Sequence, residues 1–222
     1  MPRAPAKKAK SAVATRGPLG EFVARGMVMQ GAARVFSDKG IRDASVEDIL
    51  QASNISRRTF YRLFGSKEEV MVALYRLATD VFLEACKRAI REEKDPVRQL
   101  ERCVDTFLLD YGGDTSRLTY VLGGDAQRHE SLLHERRMEI HAALATMLAE
   151  GARAHLGKKI DPLLLRALLL ALEGVTRLML EEGDEGRNVK EAQIHRVKRV
   201  MMRMLTATLE GSGPRVTALP EA

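Results

Sequence analysis

The chain of 222 residues contains no tryptophan and only two cysteines, and aromatic residues make up 5% of it. Two cysteines are too few for the disulfide framework of a small secreted domain, so we expect reduced thiols in a cytoplasmic protein. No run of about 20 apolar residues is present to cross a membrane, and the N-terminus lacks the apolar core of a secretory signal. The most apolar stretch, PLLLRALLLALEGVTRLML from Pro162, carries charged residues, which predicts a buried helix.

Signatures of enzymes are also missing. The sequence has no phosphate-binding glycine loop, nucleophile elbow or evident pair of catalytic carboxylates. The segment from His129 to His134 resembles the zinc-protease pattern HExxH but has one residue too many. On a helix these two histidines would point about 140° apart and would not share a metal. We predict no catalytic, metal or cofactor site, and a sensing role stays open for two pairs, His134 with His141 and Cys86 with Cys103.

What the chain has in excess is positive charge near its start. The net charge is +6, yet residues 1–67 hold 13 Lys or Arg against 5 Asp or Glu, whereas residues 68–222 hold 23 against 25. A basic end on a neutral body indicates contact with a polyanion, although a solvated basic surface has the same composition. Residues 1–18 carry five basic and no acidic residues, which predicts a flexible tail that either aids solubility or follows phosphates.

Helical signals begin directly after this tail. The first predicted helix runs from Leu19 to about Asp38 and ends at Gly40. Its buried face has helical spacing and consists of Val28, Gly31, Ala32, Val35 and Phe36. Ser45 is placed to cap a second, short helix, whose first turn carries two acidic residues where the helix dipole favours them.

The segment NISRRTFYRLFGSKEEV from Asn54 predicts a sharp turn and a third helix. Asn54 tolerates the positive φ of such a turn. Ser56 is placed to cap a helix that starts near Arg57, and Gly65 to end it. The apolar side chains expected to hold this short helix against its neighbours are Ile55, Phe60 and Phe64. Two short helices joined by a tight turn are typical of a helix-turn-helix unit.

The outward face of the third helix is basic. The second helix of a helix-turn-helix unit lies in the major groove of DNA with its N-terminal residues nearest the bases, where an arginine can bond guanine at two points. Thr59 and Tyr61 offer hydroxyls to phosphates, and Lys67 adds a cation beside the free N–H groups of the next helix. The same residues could be merely exposed, but the turn, the caps and the charge distribution together favour DNA contact.

At these positions the sequence resembles the tetracycline-repressor (TetR) family of bacterial transcription regulators. The resemblance covers roughly residues 24–72 and rests on Val35-Phe36, Lys39-Gly40, Ser45-Val46, Asp48-Ile49, Ala52, Ile55-Ser56, Thr59-Phe60-Tyr61, Phe64 and Lys67-Glu68-Glu69. Asn54, Leu50 and Leu63 replace the glycine, small residue and histidine that are usual in the family.

This resemblance implies an all-helical homodimer with N-terminal DNA-binding heads and a C-terminal body that binds a small effector. It implies DNA contact at Ser45, Arg57, Arg58, Thr59, Tyr61 and Lys67. We add Ser56 and Arg62 from the third helix, so that the predicted DNA-binding set is Ser45, Ser56, Arg57, Arg58, Thr59, Tyr61, Arg62 and Lys67.

The rest of the chain predicts a helical body. A long helix from Lys67 to about Lys94 links it to the head, Asp95-Pro96 starts another, and further helices are predicted at 115–128, 131–156, 162–183 and 189–210. The helix from Leu163 is apolar on more than one face. This favours a four-helix interface made by the last two helices of two subunits, with a core inside one chain as the alternative. The aromatic residues predicted to line an effector pocket are Phe82, Phe107, Tyr111 and Tyr120.

The predicted organisation is all-α, with a basic tail at 1–18, a DNA-binding domain at 19–66, an effector-binding and dimerisation domain at 67–210 and a flexible tail at 211–222. The predicted function is that of a repressor that binds a near-palindromic double-stranded DNA operator as a dimer and is released by a small-molecule effector. The alternative is a helical ligand carrier or interaction module whose basic end binds polyanions without sequence preference.

Overall fold

The structure, a computed structural model, describes residues 17–109, 111 and 115–210. The predicted tails at 1–18 and 211–222 lie almost wholly outside the described residues. Within the described residues the regular structure is entirely helical, in nine helices, and the chain divides into two compact units, Met1–Val70 and Met71–Ala222. The predicted all-α fold, with a helix-turn-helix head and a helical bundle, is confirmed. The finer domain limits at residues 66 and 67 stay a prediction.

The first unit contains α1 (Pro18–Asp43), α2 (Val46–Ser53) and α3 (Arg57–Leu63). All five residues of the predicted inner stripe of α1 are buried. Gly40 breaks the regular helix with φ 79°, so the predicted end at this residue is a kink, after which one more turn runs to Asp43. The left-handed φ explains why a glycine stands there.

Close contact between α1 and α2 depends on Gly31. A Cβ atom added at Gly31 would lie 2.8 Å from Cβ and 2.9 Å from the backbone N of Ser53. Ser53 is itself buried, and its hydroxyl donates to the Ile49 carbonyl oxygen at 2.6 Å. The two helix backbones therefore approach more closely here than any residue larger than glycine would permit.

Local capping sets the boundaries of α2. The Ser45 hydroxyl accepts a hydrogen bond from the Asp48 amide at 3.1 Å, and the Ser45 amide donates to the Asp48 carboxylate at 3.0 Å, which is a complete capping box. Asn54 ends α2 in the left-handed conformation with φ 54°, as predicted. These bonds satisfy backbone groups that a helix end would otherwise leave without partners.

The second unit takes in most of α4 and all of the five helices that follow it. The observed bounds are α4 (Lys67–Glu92), α5 (Pro96–Leu109), α6 (Ser116–Ala126), α7 (His134–Leu156), α8 (Pro162–Glu182) and α9 (Glu191–Glu210). Each corresponds to a predicted helix, with ends shifted by a few residues. Asp95 caps α5 by accepting from the Val97 amide at 2.8 Å. In the described ranges no helix is both long and apolar enough to cross a membrane.

The core of the second unit joins α5, α8 and α9. Its buried members are Val104, Leu108, Tyr111, Leu168, Leu172, Met179, Leu180, Val197, Met201 and Leu205. The opposite side of α8 remains apolar and exposed, because Leu163, Leu170 and Leu178 are 72%, 48% and 62% exposed. These three leucines share one face at helical spacing, and we call this face the α8 stripe.

Candidate nucleic-acid interface and ligand cavity

The short helix α3 is held from behind by apolar contacts, as predicted. Phe60 is fully buried, and Ile55 and Phe64 are also buried. The Arg25 guanidinium lies 4.1 Å from the centre of the Phe64 ring and donates to the Leu63 carbonyl oxygen at 3.0 Å. A helix of seven residues would not persist alone in water, so these contacts with α1 keep α3 in place.

The opposite face of α3 presents basic and aromatic side chains to solvent. Arg57 pairs with Glu47, and Arg62 lies 3.5 Å from Glu21. Arg58 is exposed and makes no hydrogen bond or ion pair within the part of the chain that the structure describes. Tyr61 is 50% exposed. On this face, therefore, the guanidinium of Arg58 is available to a ligand without breaking a bond, whereas those of Arg57 and Arg62 take part in exposed ion pairs, which are weak.

Three of the four predicted hydroxyl contacts, Ser45, Ser56 and Thr59, have structural roles in the free protein. Ser45 belongs to the α2 capping box. Ser56 caps α3 by accepting from the Thr59 amide at 3.2 Å, and its hydroxyl lies 2.9 Å from that of Thr59. Ser45 and Ser56 are nevertheless exposed. Their contact with DNA stays a prediction.

Lys67 has a structural role that the sequence did not indicate. Its Nζ donates to the carbonyl oxygens of Ile41, Arg42 and Ala44 at 2.8, 3.2 and 2.5 Å. These carbonyls lie at the C-terminal end of α1, where a cation is favoured by the helix dipole. Because the three acceptors lie 23 to 26 residues away in the chain, local patterns give no sign of this bond. Phosphate binding by Lys67 stays a prediction.

Asp48 ties α2 to α1 electrostatically. Lys39 donates to its carboxylate at 2.5 Å, and the Ser45 hydroxyl and amide add two further hydrogen bonds. These bonds, that from Lys39 first, lower the pKa of Asp48 to about 2, because hydrogen bonds to the charged form stabilise it. The capping carboxylate is thus ionised at any physiological pH.

A cavity of about 910 Å³ lies within the second unit and is lined by residues from α4 through α9. The four aromatic residues predicted to line a pocket all lie on its wall. Phe82 stacks on Phe107 with ring centres 5.5 Å apart, and Phe107 lies 5.1 Å from Tyr111. The guanidinium groups of Arg117 and Arg177 each lie 5.4 Å from the centre of the Tyr120 ring. The size falls in the range of roughly 300–1,000 Å³ that is usual for small-molecule sites.

The cavity wall also contains a charged cluster that sequence reasoning missed. Arg137 and His141, one turn apart on α7, both bond Glu173 of α8. Burial acts to raise the pKa of Glu173, but the hydrogen bonds from His141 and Arg137 outweigh it and lower that pKa. The only sequence signal was the spacing of Arg137 and His141, which fits many exposed helix pairs equally well.

Cys86 and Cys103 are brought together on the same wall. Both are free thiols, with Cys86 fully buried and Cys103 half-buried. The Cys103 Sγ lies 4.0 Å from the Cys86 carbonyl oxygen, and the interaction between the two side chains raises the pKa of Cys86 and lowers that of Cys103. The two cysteines therefore lie close together, as the sequence analysis allowed, and a sensing role for them stays a prediction.

The expectation that His129 and His134 point apart was wrong. It assumed one continuous helix, whereas α7 begins only at His134 and His129 lies in the preceding turn. Their ring centres are 4.4 Å apart. Among the described residues, no group of three or more His, Cys, Asp and Glu side chains is placed to hold a metal ion.

Comparison with known proteins finds a family match around the helix-turn-helix segment. The family model for bacterial regulatory proteins of the TetR family matches residues 28–74, which include α2 and α3. FasR, an HTH-type transcriptional activator of Mycolicibacterium smegmatis, is 28% identical over 83 residues, a match that spans 37% of this chain and 38% of that relative. The curated similarity thus covers less than half of either protein.

Solved structures extend the likeness to most of the chain. The fatty acid degradation regulator FadR of Bacillus halodurans is 18% identical over 84% of this chain and 96% of its own, with a TM-score of 0.66. FadR of Bacillus subtilis, solved in complex with stearoyl-CoA, is 16% identical over 82% of this chain and 98% of its own, with a TM-score of 0.67. At such identities the likeness shows the fold. On these matches, residues 28–74 fit the TetR family model of bacterial regulatory proteins, and most of the chain shares the fold of the two FadR structures.

Proposed function

We propose that the chain is a bacterial transcriptional regulator that binds a near-palindromic DNA operator as a homodimer and responds to a small apolar effector. The observation that carries the proposal is the outward face of α3, where Arg58 and Tyr61 are exposed while Phe60 is fully buried. The family match includes this helix, and the excess positive charge lies in residues 1–67. Binding to the bacterial chromosome places the protein in the cytoplasm.

The ion pairs of the arginines on α3 predict different roles on DNA. Arg58 makes no hydrogen bond or ion pair within the described residues, so it can bond a base edge without first breaking another bond. Arg57 must first leave Glu47, and the exposed carboxylate of Glu47 would be repelled by a phosphate. We therefore expect Arg58 and Tyr61 to contribute most to affinity, and Arg57 to depend on how closely Glu47 approaches the DNA backbone.

Selection of bound duplexes from a random pool, with the full chain, tests DNA recognition directly. We expect a symmetric site whose halves lie about one helical turn or somewhat further apart. On that site, Arg58→Ala should cost about 1–3 kcal/mol and relax base preference at one position in each half. Arg153→Ala removes the same charge from an exposed position on α7 and should change little.

The alternative, a module that binds polyanions without sequence preference, makes the opposite prediction. In that case no consensus emerges, and Arg58→Ala weakens the binding of all duplexes to the same, salt-dependent extent. Repression, which the sequence suggested, stays a prediction, since FasR is described as an activator. A reporter gene placed behind the selected operator distinguishes the two directions.

The cavity favours an effector with a long apolar chain. Most of its lining side chains are apolar, with leucine the most frequent, and the related fold of Bacillus subtilis FadR is described in complex with stearoyl-CoA. We infer a fatty-acyl effector for this chain also. Titration of stearoyl-CoA into the protein–operator complex should change DNA affinity by about 5- to 150-fold, the usual size of allosteric coupling. Coenzyme A without the acyl chain is the control and should have no effect.

The α8 stripe supports the homodimer. Burying each leucine of the stripe would contribute about 1.5–3 kcal/mol, and Ala167 and Gly174 lie between them on the same face, which allows close approach of a second helix. Leu170→Glu should convert the protein from about twice its chain mass of 24.7 kDa to the monomer mass in light scattering. Leu132→Glu changes a leucine that is 64% exposed outside α8 and should leave the dimer intact. A monomeric wild-type protein would refute this part of the proposal.

A further inference from the structure

The charged cluster in the cavity wall has a defined hydrogen-bond geometry. Arg137 donates to Glu173 from Nη2 at 2.6 Å and from Nε at 3.1 Å, and the His141 Nε2 lies 2.7 Å from the other carboxylate oxygen. Arg137 and His141 are 9% and 6% exposed, and all three residues line the cavity. Both oxygens of Glu173 are thus occupied by protein donors.

Two donors on the cavity wall are left over. The Nη1 of Arg137 makes no hydrogen bond within the described residues. Tyr75 of α4 lines the same cavity, and no protein partner for its hydroxyl is seen in the described ranges. Burial, followed by the negative charge of Glu173, raises the pKa of Tyr75 to about 12. The phenol therefore keeps its proton at neutral pH and can donate it to a ligand.

The charge of the cluster limits which ligand group can accept these donors. The Arg137 guanidinium is already neutralised by Glu173. A ligand carboxylate would bring a second negative charge beside Glu173 in a largely apolar cavity, which is costly. A carbonyl oxygen is an acceptor without net charge, and a hydrogen bond to it from a guanidinium is stronger than one between neutral groups.

We propose that Arg137 and Tyr75 form a subsite for the carbonyl oxygen of a fatty-acyl ester or thioester, with Glu173 and His141 holding the guanidinium in position. This inference rests on the proposed fatty-acyl effector and specifies which atom of it the protein recognises. The long chain fills the apolar part of the cavity, and the carbonyl fixes its depth. The free fatty acid is the weaker ligand.

A purely structural role for the cluster makes a different prediction. A buried ion pair that only ties α7 to α8 can usually be replaced by apolar residues of similar size without loss of stability. It would also be indifferent to one oxygen atom in a ligand. The deciding measurement is therefore the preference for a carbonyl over a methylene group in otherwise identical ligands.

Calorimetric titration of the full chain with two matched pairs of probes measures this preference. The first pair is S-dodecanoyl-CoA, a thioester, and S-dodecyl-CoA, the thioether that lacks the carbonyl oxygen. The second pair is 1-dodecanoylglycerol, an ester, and 1-O-dodecylglycerol, its ether. In the wild-type protein we expect the carbonyl compound of a pair to bind about tenfold more tightly or better, the effect of one hydrogen bond to a charged donor. Dodecanoate should bind less tightly than the thioester.

The variants assign the preference to residues. Arg137→Met combined with Glu173→Met removes both charges together and should lower the affinity ratio within each pair to about one. Tyr75→Phe removes one hydroxyl and should lower the ratio severalfold. Arg153→Met, on the same helix α7 but outside the cavity wall, should keep the wild-type ratio. If the double variant does not fold, as judged by circular dichroism, Tyr75→Phe decides alone.

The outcomes separate this subsite from the proposed effector. A wild-type ratio near one, or a ratio that survives in the variants, overturns the carbonyl subsite even when the CoA compounds bind. A carbonyl preference in the glycerol pair without any binding of the CoA pair supports the subsite and refutes a CoA-linked effector. If none of the four probes binds, the fatty-acyl effector and the subsite are both refuted.

Discussion

Replacing Gly31 by alanine tests the claim that α1 and α2 pack at backbone contact. The new methyl group would lie 2.8 Å from the Ser53 Cβ, 2.9 Å from its N and 3.0 Å from its Cα. Two of these three atoms are backbone, so the helices must separate by several tenths of an ångström. The change needs a matched control because alanine also favours the helix by itself. Gly26 supplies it, since it lies on the same helix and nothing lies within 4 Å of a Cβ added there.

Two terms, helix propensity and overpacking, set the expected change in the free energy of unfolding. Gly→Ala in a helix gains about 1 kcal/mol through propensity, and overpacking of a tight interface costs about 1–3 kcal/mol. Gly26→Ala has only the first term and should stabilise the first unit. Gly31→Ala has both and should destabilise it, or at best leave it unchanged. The difference between the two variants, about 1–3 kcal/mol, isolates the cost of the clash.

Hydrogen exchange of the α2 amides, followed by mass spectrometry on the full chain, reports the opening free energy of this part of the protein. We expect exchange about 5- to 150-fold faster in Gly31→Ala than in Gly26→Ala, because each 1.4 kcal/mol is a factor of ten. Operator affinity should fall only in the Gly31 variant, since α3 follows α2 directly. Equal protection in both variants would refute the close approach of the two helices.

Three further changes test local features. Asn54→Ala should lower the free energy of unfolding by about 1–2 kcal/mol, measured by thermal or chemical unfolding, because the φ of 54° at this position is left-handed. Asn54→Gly should not lower it, and equal effects of the two changes would contradict that conformation. By NMR, Asp48 should titrate near pH 2, and Lys39→Met should raise its pKa, since Lys39 is the largest cause of the shift. The pKa is lowered on folding, so its stabilising effect is present above about pH 4 and is lost as the pH falls toward 2; an unshifted Asp48 would refute the bond. Cys86→Ala removes the donor that lowers the pKa of Cys103, so Cys103 should react more slowly with a disulfide reagent near neutral pH than in Cys86→Ser.

Local sequence signals predicted the first unit well because its features depend on neighbours within a few residues. The capping serines act on amides three residues ahead, and Asn54 needs only its own backbone to adopt a left-handed φ. The buried stripe of α1 follows from helical periodicity alone. Such features depend on residue type and spacing, which are visible in one sequence.

The charged contacts were less predictable. Lys67 has the position of a phosphate ligand in the sequence, yet its ammonium group bonds three carbonyls at the end of α1. In the sequence, Glu173 indicated only that the apolar stretch around it is a buried helix, and its bonds to Arg137 and His141 join positions 36 and 32 residues apart. A long side chain has many partners within reach, and only the packing of the helices selects one.

By itself, then, the sequence determined the helices, the caps that begin α2 and α3, the helix-turn-helix unit and the basic outer face of α3. Capping, periodicity and charge composition are properties of short segments, and a short segment contains all the information they need. Only the tertiary structure decided that Arg58 lacks a partner within the described residues while Arg57 has one, that α1 and α2 meet at Gly31, and that a charged cluster interrupts an apolar cavity wall. Each of these depends on distances between segments far apart in the chain, which are set when the helices pack and not by any one of them.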